Sequence, residues 1–402
     1  MENIEHYFDW AATSPQDKEI LRNALELSLK YDGNPSSIHT EGQNAKKILE
    51  QTRKNCAKTL GVPETTIFFT SGGTESDHIP LISLLNKNIT NSTSRGRIIV
   101  SGIEHPAIAE EVQILKRQGF EVIIVNPNST GIIEPQDIIN QITSDTLFIT
   151  VMAVNNETGC IQPIYEIADK IIEATQGKRK PHFHVDFVQA AGKIPIELNY
   201  KGIDSGAFSA HKICGPRGIG ILYLAKEINS FLIGGGQENN IRSGTENIFG
   251  AIAFDQCLQK YYLNKTNINT EIQNRFEIQK EYMSNFIKEL SKIKGCTIVP
   301  EIRKNLDAQT QNMFSPWVIQ VAFNKIPGNV MVRALDSKGF CISTGSACSA
   351  KKQKRPILAA MKASKEIQDT AVRFSFGPLS TEQGIEELLN AINEINSAFN
   401  GK

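Results

Sequence analysis

The sequence lacks a net charge, a long hydrophobic run and a recognisable targeting segment. Its 43 basic and 43 acidic residues cancel, which gives no reason to expect nucleic acid or an anionic membrane as a direct partner. No apolar run reaches the length of a membrane span. Residues 1–6 are acidic and contain no apolar signal core. We therefore expect a cytoplasmic protein that does not bind a membrane.

The seven cysteines do not form a disulfide or zinc pattern. Their number is odd and no two of them are spaced as a C-x-x-C pair. In a reducing compartment they are expected to be free thiols, most of them buried packing residues. They are Cys56, Cys160, Cys214, Cys257, Cys296, Cys341 and Cys348.

Apolar segments alternate with helical patterns over the first 224 residues. A chain of 402 residues that is 40% hydrophobic can bury a large core. Continuous apolar strands between helices are typical of a mostly parallel α/β sheet with both faces covered. Such sheets bind ligands at the carboxyl ends of their strands, and polar clusters follow several of these strands. The predicted strands are 67–70, 97–100, 121–125, 147–154, 182–188, 206–208 and 219–224.

The pattern changes near residue 251. A long polar helical stretch over 251–294 is predicted to connect to a smaller α/β region with strands at 317–323, 340–343 and 371–376. A short strand is also expected at 7–9, followed by a capping box at 14–17 that places Pro15 at the first helical position. We assign residues 16–255 to a large domain, and residues 1–15 and 256–402 to a small one that carries Cys348.

Lys212 lies in Ser-Ala-His-Lys at 209–212, between two short apolar runs. We interpret it as the residue that holds an aldehyde cofactor as a Schiff base. Asp186 would then face a ring nitrogen, because a carboxylate keeps that nitrogen protonated and makes the ring an electron sink. Gln189 could donate to the ring oxygen. Alone, Asp186 could be an ordinary surface or cap residue.

Two junctions between a predicted strand and a predicted helix contain further candidate site residues. Gly73 and Thr74 open a helix where the backbone can approach a phosphate, although an ordinary strand–helix turn is the alternative and neither a GxGxxG nor a Walker motif is present. His105 begins the next helix, where an imidazole could stack on a ring or move a proton. His182 and His184 share one strand face, but no third ligand is suggested, so no metal site is expected.

Cys348 ends a run of small residues and precedes Lys351, Lys352, Lys354 and Arg355. A thiol in a positive field is placed to ionise and attack, whereas the alternative is a turn with an incidental thiol. The basic run could dock an acidic partner, but exposed charge is the simpler interpretation. Arg373, within an apolar strand, requires a carboxylate, which could come from a substrate or from a structural acid.

Together these segments resemble the cysteine desulfurases, pyridoxal-phosphate enzymes of the class V aminotransferase group. The resemblance covers residues 7–383, and the Ser-x-Gly-Ser-Ala-Cys form is similar to the subgroup with a longer cysteine loop. It rests on YFDWAAT (7–13), NPSSIH (34–39), TSGGTES (70–76), EHP (104–106), NNETG (155–159), HVDFVQ (184–189), SAHK (209–212), RSGT (242–245) and GSAC (345–348).

The resemblance implies a fold type I transferase and a role for each candidate. Lys212 would carry the internal aldimine, and His105 would stack on the ring and take part in proton transfer. Asp186 would pair with the pyridine nitrogen and Gln189 with the phenolic oxygen. The phosphate would be held by Gly73, Thr74, Ser209 and His211, with Thr245 reaching the phosphate of a partner subunit, and the substrate carboxylate would be held by Asn156 and Arg373.

The activity implied is conversion of L-cysteine to L-alanine with a persulfide on Cys348. The sulfur would pass to an acceptor protein for iron–sulfur cluster assembly or tRNA thiolation, and the enzyme would be a homodimer. Selenocysteine lyases, other β-eliminating enzymes, aminotransferases and a fold kept only for docking remain alternatives. Three positions depart from the family pattern, although none removes a predicted catalytic group: Trp10, the pair Asp77-His78, and Cys214.

Overall fold

The computed structural model describes residues 4–86, 95–265, 269–345 and 355–400. Within these ranges, ten strands form two sheets. The first sheet contains β1 (Ile67–Thr70), β2 (Arg97–Ser101), β3 (Glu121–Val125), β4 (Thr146–Thr150), β5 (His182–Asp186), β6 (Ser205–Ser209) and β7 (Gly220–Leu224). The second contains β8 (Cys296–Val299), β9 (Val318–Phe323) and β10 (Ala371–Ser375).

Thirteen α-helices accompany these strands in the described ranges. They are α1 (Lys18–Ser28), α2 (Thr40–Leu60), α3 (Gly73–Ile82), α4 (Pro106–Arg117), α5 (Pro135–Ile139), α6 (Ile164–Ala174), α7 (Ile248–Tyr261), α8 (Thr270–Leu290), α9 (Ala308–Asn312), α10 (Gly328–Asp336), α11 (Pro356–Ala360), α12 (Lys365–Thr370) and α13 (Glu382–Asn400). None of the helices in the described part is long and apolar enough to cross a bilayer.

The seven-stranded sheet is mostly parallel, as the sequence predicts. Its strand order is β1-β7-β6-β5-β4-β2-β3, and the five strands from β6 to β3 are parallel to one another. Strand β7 runs antiparallel to both of its neighbours. The carboxyl ends of β4, β5 and β6 therefore meet at one edge of the sheet.

Both faces of this sheet are buried, which explains why its strands are continuously apolar. In β2, Ile98 and Val100 pack with Ile108 and Val112 of α4 on one face. Ile99 points to the other face and belongs to the main core, which also contains buried residues of α1, α2, α6 and α7. The period of two along the strand thus divides its side chains between two helical layers.

The antiparallel β10-β9-β8 sheet forms a second core with residues of α8, α10 and α13. Residues before α1 join this part through isolated bridges, from Tyr7 to Cys341 and from Asp9 to Ser375. Helix α7 runs without interruption across residue 255. The domain boundaries at 15/16 and 255/256 stay a prediction.

Several predicted elements were wrong in their bounds. Only isolated bridges occur at 7–9 and 340–343, and the strand predicted over 147–154 ends at Thr150. The polar stretch after 251 contains two helices, and β8 was not anticipated. Helix α1 begins at Lys18 because Asp17 is its N-cap, with Oδ1 accepting from the backbone N–H groups of Glu19 and Ile20.

Candidate active site

Lys212 lies in the connection between β6 and β7, at the carboxyl edge of the first sheet. Its Nζ donates to the carbonyl oxygens of Ala11, at 2.7 Å, and Ala12, at 2.8 Å. The two segments are held together by Ser14, whose Oγ donates to His211 O and accepts from Cys214 N. The N-terminal segment therefore forms one wall around the amine, a role that the sequence did not indicate.

Asp186 is the last residue of β5, so its side chain lies at the same edge. Its Oδ1 accepts from Val188 N at 2.8 Å, and the residue is only 4% exposed. Burial, and then the neighbouring Asp77, raise the pKa of Asp186 to about 8. The site therefore contains a buried carboxyl group that lacks sufficient positive charge around it.

Gln189 links Asp186 to the lysine through the turn that follows β5. Its Nε2 donates to Ala11 O at 2.8 Å, the same carbonyl that Lys212 contacts. Its Oε1 accepts from Nζ of the buried Lys193 at 2.5 Å, which fixes the orientation of the amide. Burial lowers the pKa of Lys193 well below its usual value. Lys193 is a second lysine at the site that the sequence analysis did not identify.

A chain of buried polar groups lies behind Asp186. Asp77 Oδ1 is 3.1 Å from His184 Nε2, and Ser205 Oγ is 2.7 Å from both His184 Nδ1 and His182 Nε2. Burial raises the pKa of Asp77 and lowers that of His184 to about 4. The two histidines are thus committed to Ser205, and the described residues contain no group of three metal-binding side chains.

The raised pKa of Asp186 predicts how the free energy of unfolding of the cofactor-free protein depends on pH. Between the unperturbed pKa of 3.8 and about 8, the folded protein holds a proton that the unfolded chain has lost. Its free energy of unfolding should therefore fall as the pH rises through this window, by up to ~1.4 kcal/mol per pH unit from this group. Asp186→Asn should remove that part of the slope. Chemical denaturation of both proteins across the window measures it, and identical pH dependence would contradict the prediction.

Among the predicted phosphate-binding residues, Gly73 and Thr74 begin α3, and Ser209 packs against Gly73. Gly73 is packed so closely that an added Cβ would lie 2.7 Å from Val188 Cγ2 and 3.6 Å from Ser209 Cβ. Thr74 is exposed in the first turn of the helix. His211 Nδ1 lies 3.2 Å from Thr13 Oγ1, and burial followed by Lys212 lowers its pKa to about 3. Free backbone N–H groups and hydroxyls at a helix N-terminus form a suitable anion cradle.

His105 is the N-cap of α4, and its Nδ1 accepts from Ala107 N at 3.2 Å. Burial, and then the charge of Lys212, lower its pKa to about 4. The neutral ring therefore carries its proton on Nε2. The preceding residue, Glu104, connects the end of β2 to the segment that follows β4, because its Oε1 accepts from Ser101 Oγ and Met152 N.

Arg373 pairs with a structural acid, one of the two partners that the sequence left open. Its Nη2 donates to Asp9 Oδ1 at 2.8 Å, and its Nη1 donates to Asn156 O at 2.9 Å and Gly345 O at 3.3 Å. The guanidinium is 2% exposed, and its buried Nε has no hydrogen-bond partner among the described residues. The Nε–H group thus remains for another acceptor.

Asn156 is positioned by a compact turn. The side chain of Asn155 accepts from the N–H groups of Glu157 and Thr158, both at 3.0 Å. Gly159 adopts φ +77°, and a Cβ there would lie 2.5 Å from Val318 O, so the position requires glycine. The turn presents Asn156 beside Arg373.

Cys348 lies outside the described residues, as do Lys351, Lys352 and Lys354. Both residues that flank this gap contact the buried Glu157. Arg355 Nη2 lies 3.4 Å from Glu157 Oε2, and a Cβ added to Gly345 would lie 3.0 Å from the same oxygen. Arg355 is 8% exposed, so the expectation of exposed charge was wrong for this member of the basic run, whose guanidinium is needed to pair the buried Glu157.

Thr245 is exposed, and it is not among the residues that form hydrogen bonds with Lys212 in the described part of the chain. The segment that contains Thr245 reaches α3 through Arg242, whose Nε lies 3.3 Å from Glu75 Oε1. Phe231, Leu232 and Ile233 on the same segment are exposed apolar residues. The isolated chain leaves this surface uncovered.

Comparisons with known proteins give a consistent picture. The family model described as "Aminotransferase class-V" matches residues 6–388. The chain is 33% identical to "Cysteine desulfurase IscS" of Dictyoglomus turgidum, over 97% of this chain and 94% of the relative, and 33% identical to the protein of the same name from Methanosarcina thermophila, over 98% and 92%. A solved structure titled "NIFS-LIKE PROTEIN" superposes with a TM-score of 0.86 at 30% identity, covering 98% of this chain and 100% of that one.

Proposed function

The chain belongs to the class-V aminotransferase family and, within it, to the cysteine desulfurases, and we propose that it converts L-cysteine to L-alanine with pyridoxal phosphate and keeps the sulfur as a persulfide on Cys348. The observation that carries this proposal is that Lys212 and Gln189 both donate to the Ala11 carbonyl. Buried Asp186 lies at the end of the strand just before Gln189, and Arg373 pairs with Asp9 of the segment that contains Ala11. No residue assigned to the chemistry is replaced.

The described residues fit pyridoxal phosphate. Buried Asp186 lacks a sufficient cation, and a protonated ring nitrogen would supply one. Because Gly73 has no Cβ, the backbone at the N-terminus of α3 packs closely against Val188 and Ser209. The N–H groups of this first turn can then bind the phosphate. When bound, the cofactor supplies an electron sink for the substrate carbon.

Each residue then has a distinct task. Lys212 would hold the aldehyde carbon and, once displaced by substrate, move the α-proton through its Nζ. Asp186 and Gln189 would fix the ring, and the neutral His105 would stack on it. The phosphate would be held by Gly73, Thr74, Ser209 and His211, with Thr245 contributing to the site of a partner subunit.

Arg373 and Asn156 would hold the substrate carboxylate. The Nε–H of Arg373, which has no partner among the described residues, is a charge-assisted donor that a carboxylate can use. Asp9 and the Asn156 carbonyl fix the direction of the guanidinium. A substrate anion would also add negative charge beside a second buried guanidinium, that of Arg355.

We expect Arg373→Lys to raise KM for cysteine by about 10- to 100-fold with a smaller change in kcat, because lysine cannot reproduce the guanidinium fork. Asp9→Asn keeps the size of the partner but removes its charge, and should raise KM less. Steady-state kinetics at saturating pyridoxal phosphate measure both. An unchanged KM in Arg373→Lys would mean that this arginine is only structural.

The sulfur step involves Cys348 and the substrate. The thiolate of Cys348 attacks the substrate sulfur, a new S–S bond forms, and the C–S bond breaks. Its electron pair stays with the substrate carbon, which takes up a proton and leaves as alanine. Gly345 and Arg355, the described residues before and after Cys348 in the chain, both lie beside Glu157, and Gly345 O accepts from Arg373 Nη1, which supports this assignment.

We also propose an oligomeric state, a location and a protein partner for this enzyme. The enzyme would act as a cytoplasmic homodimer, which the exposed apolar run 231–233 beside Thr245 supports. A sulfur-acceptor protein, a cluster scaffold or a tRNA-thiolation enzyme, would take the persulfide sulfur. Nucleic acid and membrane have no direct part, consistent with the balanced charge of the chain.

The product balance tests this function. The wild-type protein with pyridoxal phosphate, L-cysteine and a thiol reductant should release alanine and sulfide in equal amounts. Release of pyruvate and ammonia with the sulfide would instead indicate β-elimination, and activity confined to selenocysteine would indicate a lyase. Either result would overturn the proposal.

A further inference from the structure

A cavity of about 520 Å³ that Lys212 does not line lies between helix α8 and the segments that follow β4 and β5. One wall is formed by α8, with Met283 and Ile287, and another by Phe187, the residue after β5. Its size falls within the range of about 300–1,000 Å³ that is usual for small-molecule sites. None of its lining residues belongs to the proposed catalytic, cofactor or substrate set.

The charges around this cavity have one sign. Its walls are mainly apolar, and the charged residues that line it are Lys265, Lys280 and Arg303. No aspartate or glutamate is among the described lining residues. An apolar volume with cations and no acid is complementary to an amphipathic anion.

Arg303 is the most informative of these cations. It is 3% exposed, and its Nη atoms donate to the backbone carbonyls of Thr158, at 2.7 Å, Val318, at 2.6 Å, and Ser315, at 2.8 Å. It forms no salt bridge with a carboxylate of the described chain. The backbone carbonyls and the ring of Phe314, whose centroid lies 4.9 Å from Cζ, stabilise the guanidinium without supplying a negative charge, and burial lowers the pKa of Arg303 to about 10. A bound anion would supply the missing negative charge.

The two lysines are less buried than Arg303. Lys265 Nζ lies over the ring of Tyr165, 4.7 Å from its centroid, and 3.6 Å from Glu197. Lys280 Nζ lies 3.1 Å from Glu277 Oε2, in the preceding turn of the same helix. Both acid partners are partly exposed, and such pairs hold a lysine only weakly. Each ammonium group can therefore turn towards a ligand.

We propose that this cavity binds a small amphipathic carboxylate. Its hydrocarbon chain would lie against Phe187, Met283 and Ile287, and its carboxylate would be held by the lysines and the field of Arg303. A neutral apolar compound would fill the same space but would leave the cations uncompensated. The chemistry of the cavity, rather than the desulfurase reaction, supports this inference.

Calorimetric titration of the holoenzyme with octanoate tests the proposal. We expect saturable binding of one octanoate per chain, and about ten-fold weaker binding of octan-1-ol, which has the same chain without the charge. Absence of saturable octanoate binding, or equally tight octanol binding, would overturn it. The titration measures binding without turnover, so its outcome does not depend on the proposed activity.

Variants locate the bound molecule. Ser284 lines the cavity in the middle of α8, so Ser284→Trp should fill it and abolish octanoate binding while cysteine turnover is retained. Ser291→Trp, at the exposed C-cap of the same helix, is the matched control and should bind normally. The double replacement Lys265→Gln and Lys280→Gln should weaken octanoate about ten-fold and leave octanol unchanged. Normal octanoate binding by Ser284→Trp would contradict the assignment.

Discussion

Replacing Lys212 with alanine is expected to lower cysteine turnover by about 10³-fold or more, because the same amine holds the cofactor and moves the substrate proton. The Nζ of Lys212 is fixed by two carbonyl oxygens, so no neighbouring group can take its place without moving. Turnover and cofactor absorbance of the purified variant measure the effect. Undiminished turnover would refute the central role of this lysine.

Lys193 provides a matched control for that variant, since it is a second buried lysine beside Gln189. Lys193→Met should weaken pyridoxal phosphate binding through loss of the contact with Gln189, yet retain turnover at saturating cofactor. Borohydride reduction with pyridoxal phosphate, followed by peptide mapping, should label the peptide with Lys212 in this variant. Labelling of Lys193 in the wild type would show that the two lysines have been assigned the wrong way round.

Replacing Cys348 with alanine is expected to abolish release of both alanine and sulfide from L-cysteine, a loss of about 10³-fold or more. A thiolate is needed to attack the substrate sulfur. Burial raises the pKa of all six described cysteines, so none of them is suited to substitute. Parallel quantification of the two products, with wild type and variant loaded to the same cofactor content, measures the effect.

Two other cysteines serve as controls for this experiment. Cys341 is the exposed member of the described set, and Cys214 lies two residues from Lys212 with a pKa raised to about 11. Cys341→Ala and Cys214→Ala should both retain product release. Survival of alanine release in Cys348→Ala would identify another acceptor of the sulfur, and would favour selenocysteine as substrate or a β-elimination.

The sequence by itself determined the class of fold, because the strands are apolar on both faces and alternate with helices. Ile98, Ile99 and Val100 show the reason: successive side chains enter two different helical layers, so each must be apolar. It also determined the family, since the motifs around Lys212 and Asp186 are local in the chain. Each of these motifs can be recognised from a few consecutive residues, because it forms a turn at the end of one strand.

Only the tertiary structure decided which groups meet at the site. Asp9 is 364 residues from Arg373, and the Ala11 carbonyl accepts from Gln189 and Lys212, which are 178 and 201 residues away in the sequence. No periodicity records a contact between segments so distant, and a backbone carbonyl has no residue type to identify it. The same limit applies to charge: Arg355 belongs to a basic run in the sequence, and only packing against Glu157 buries it.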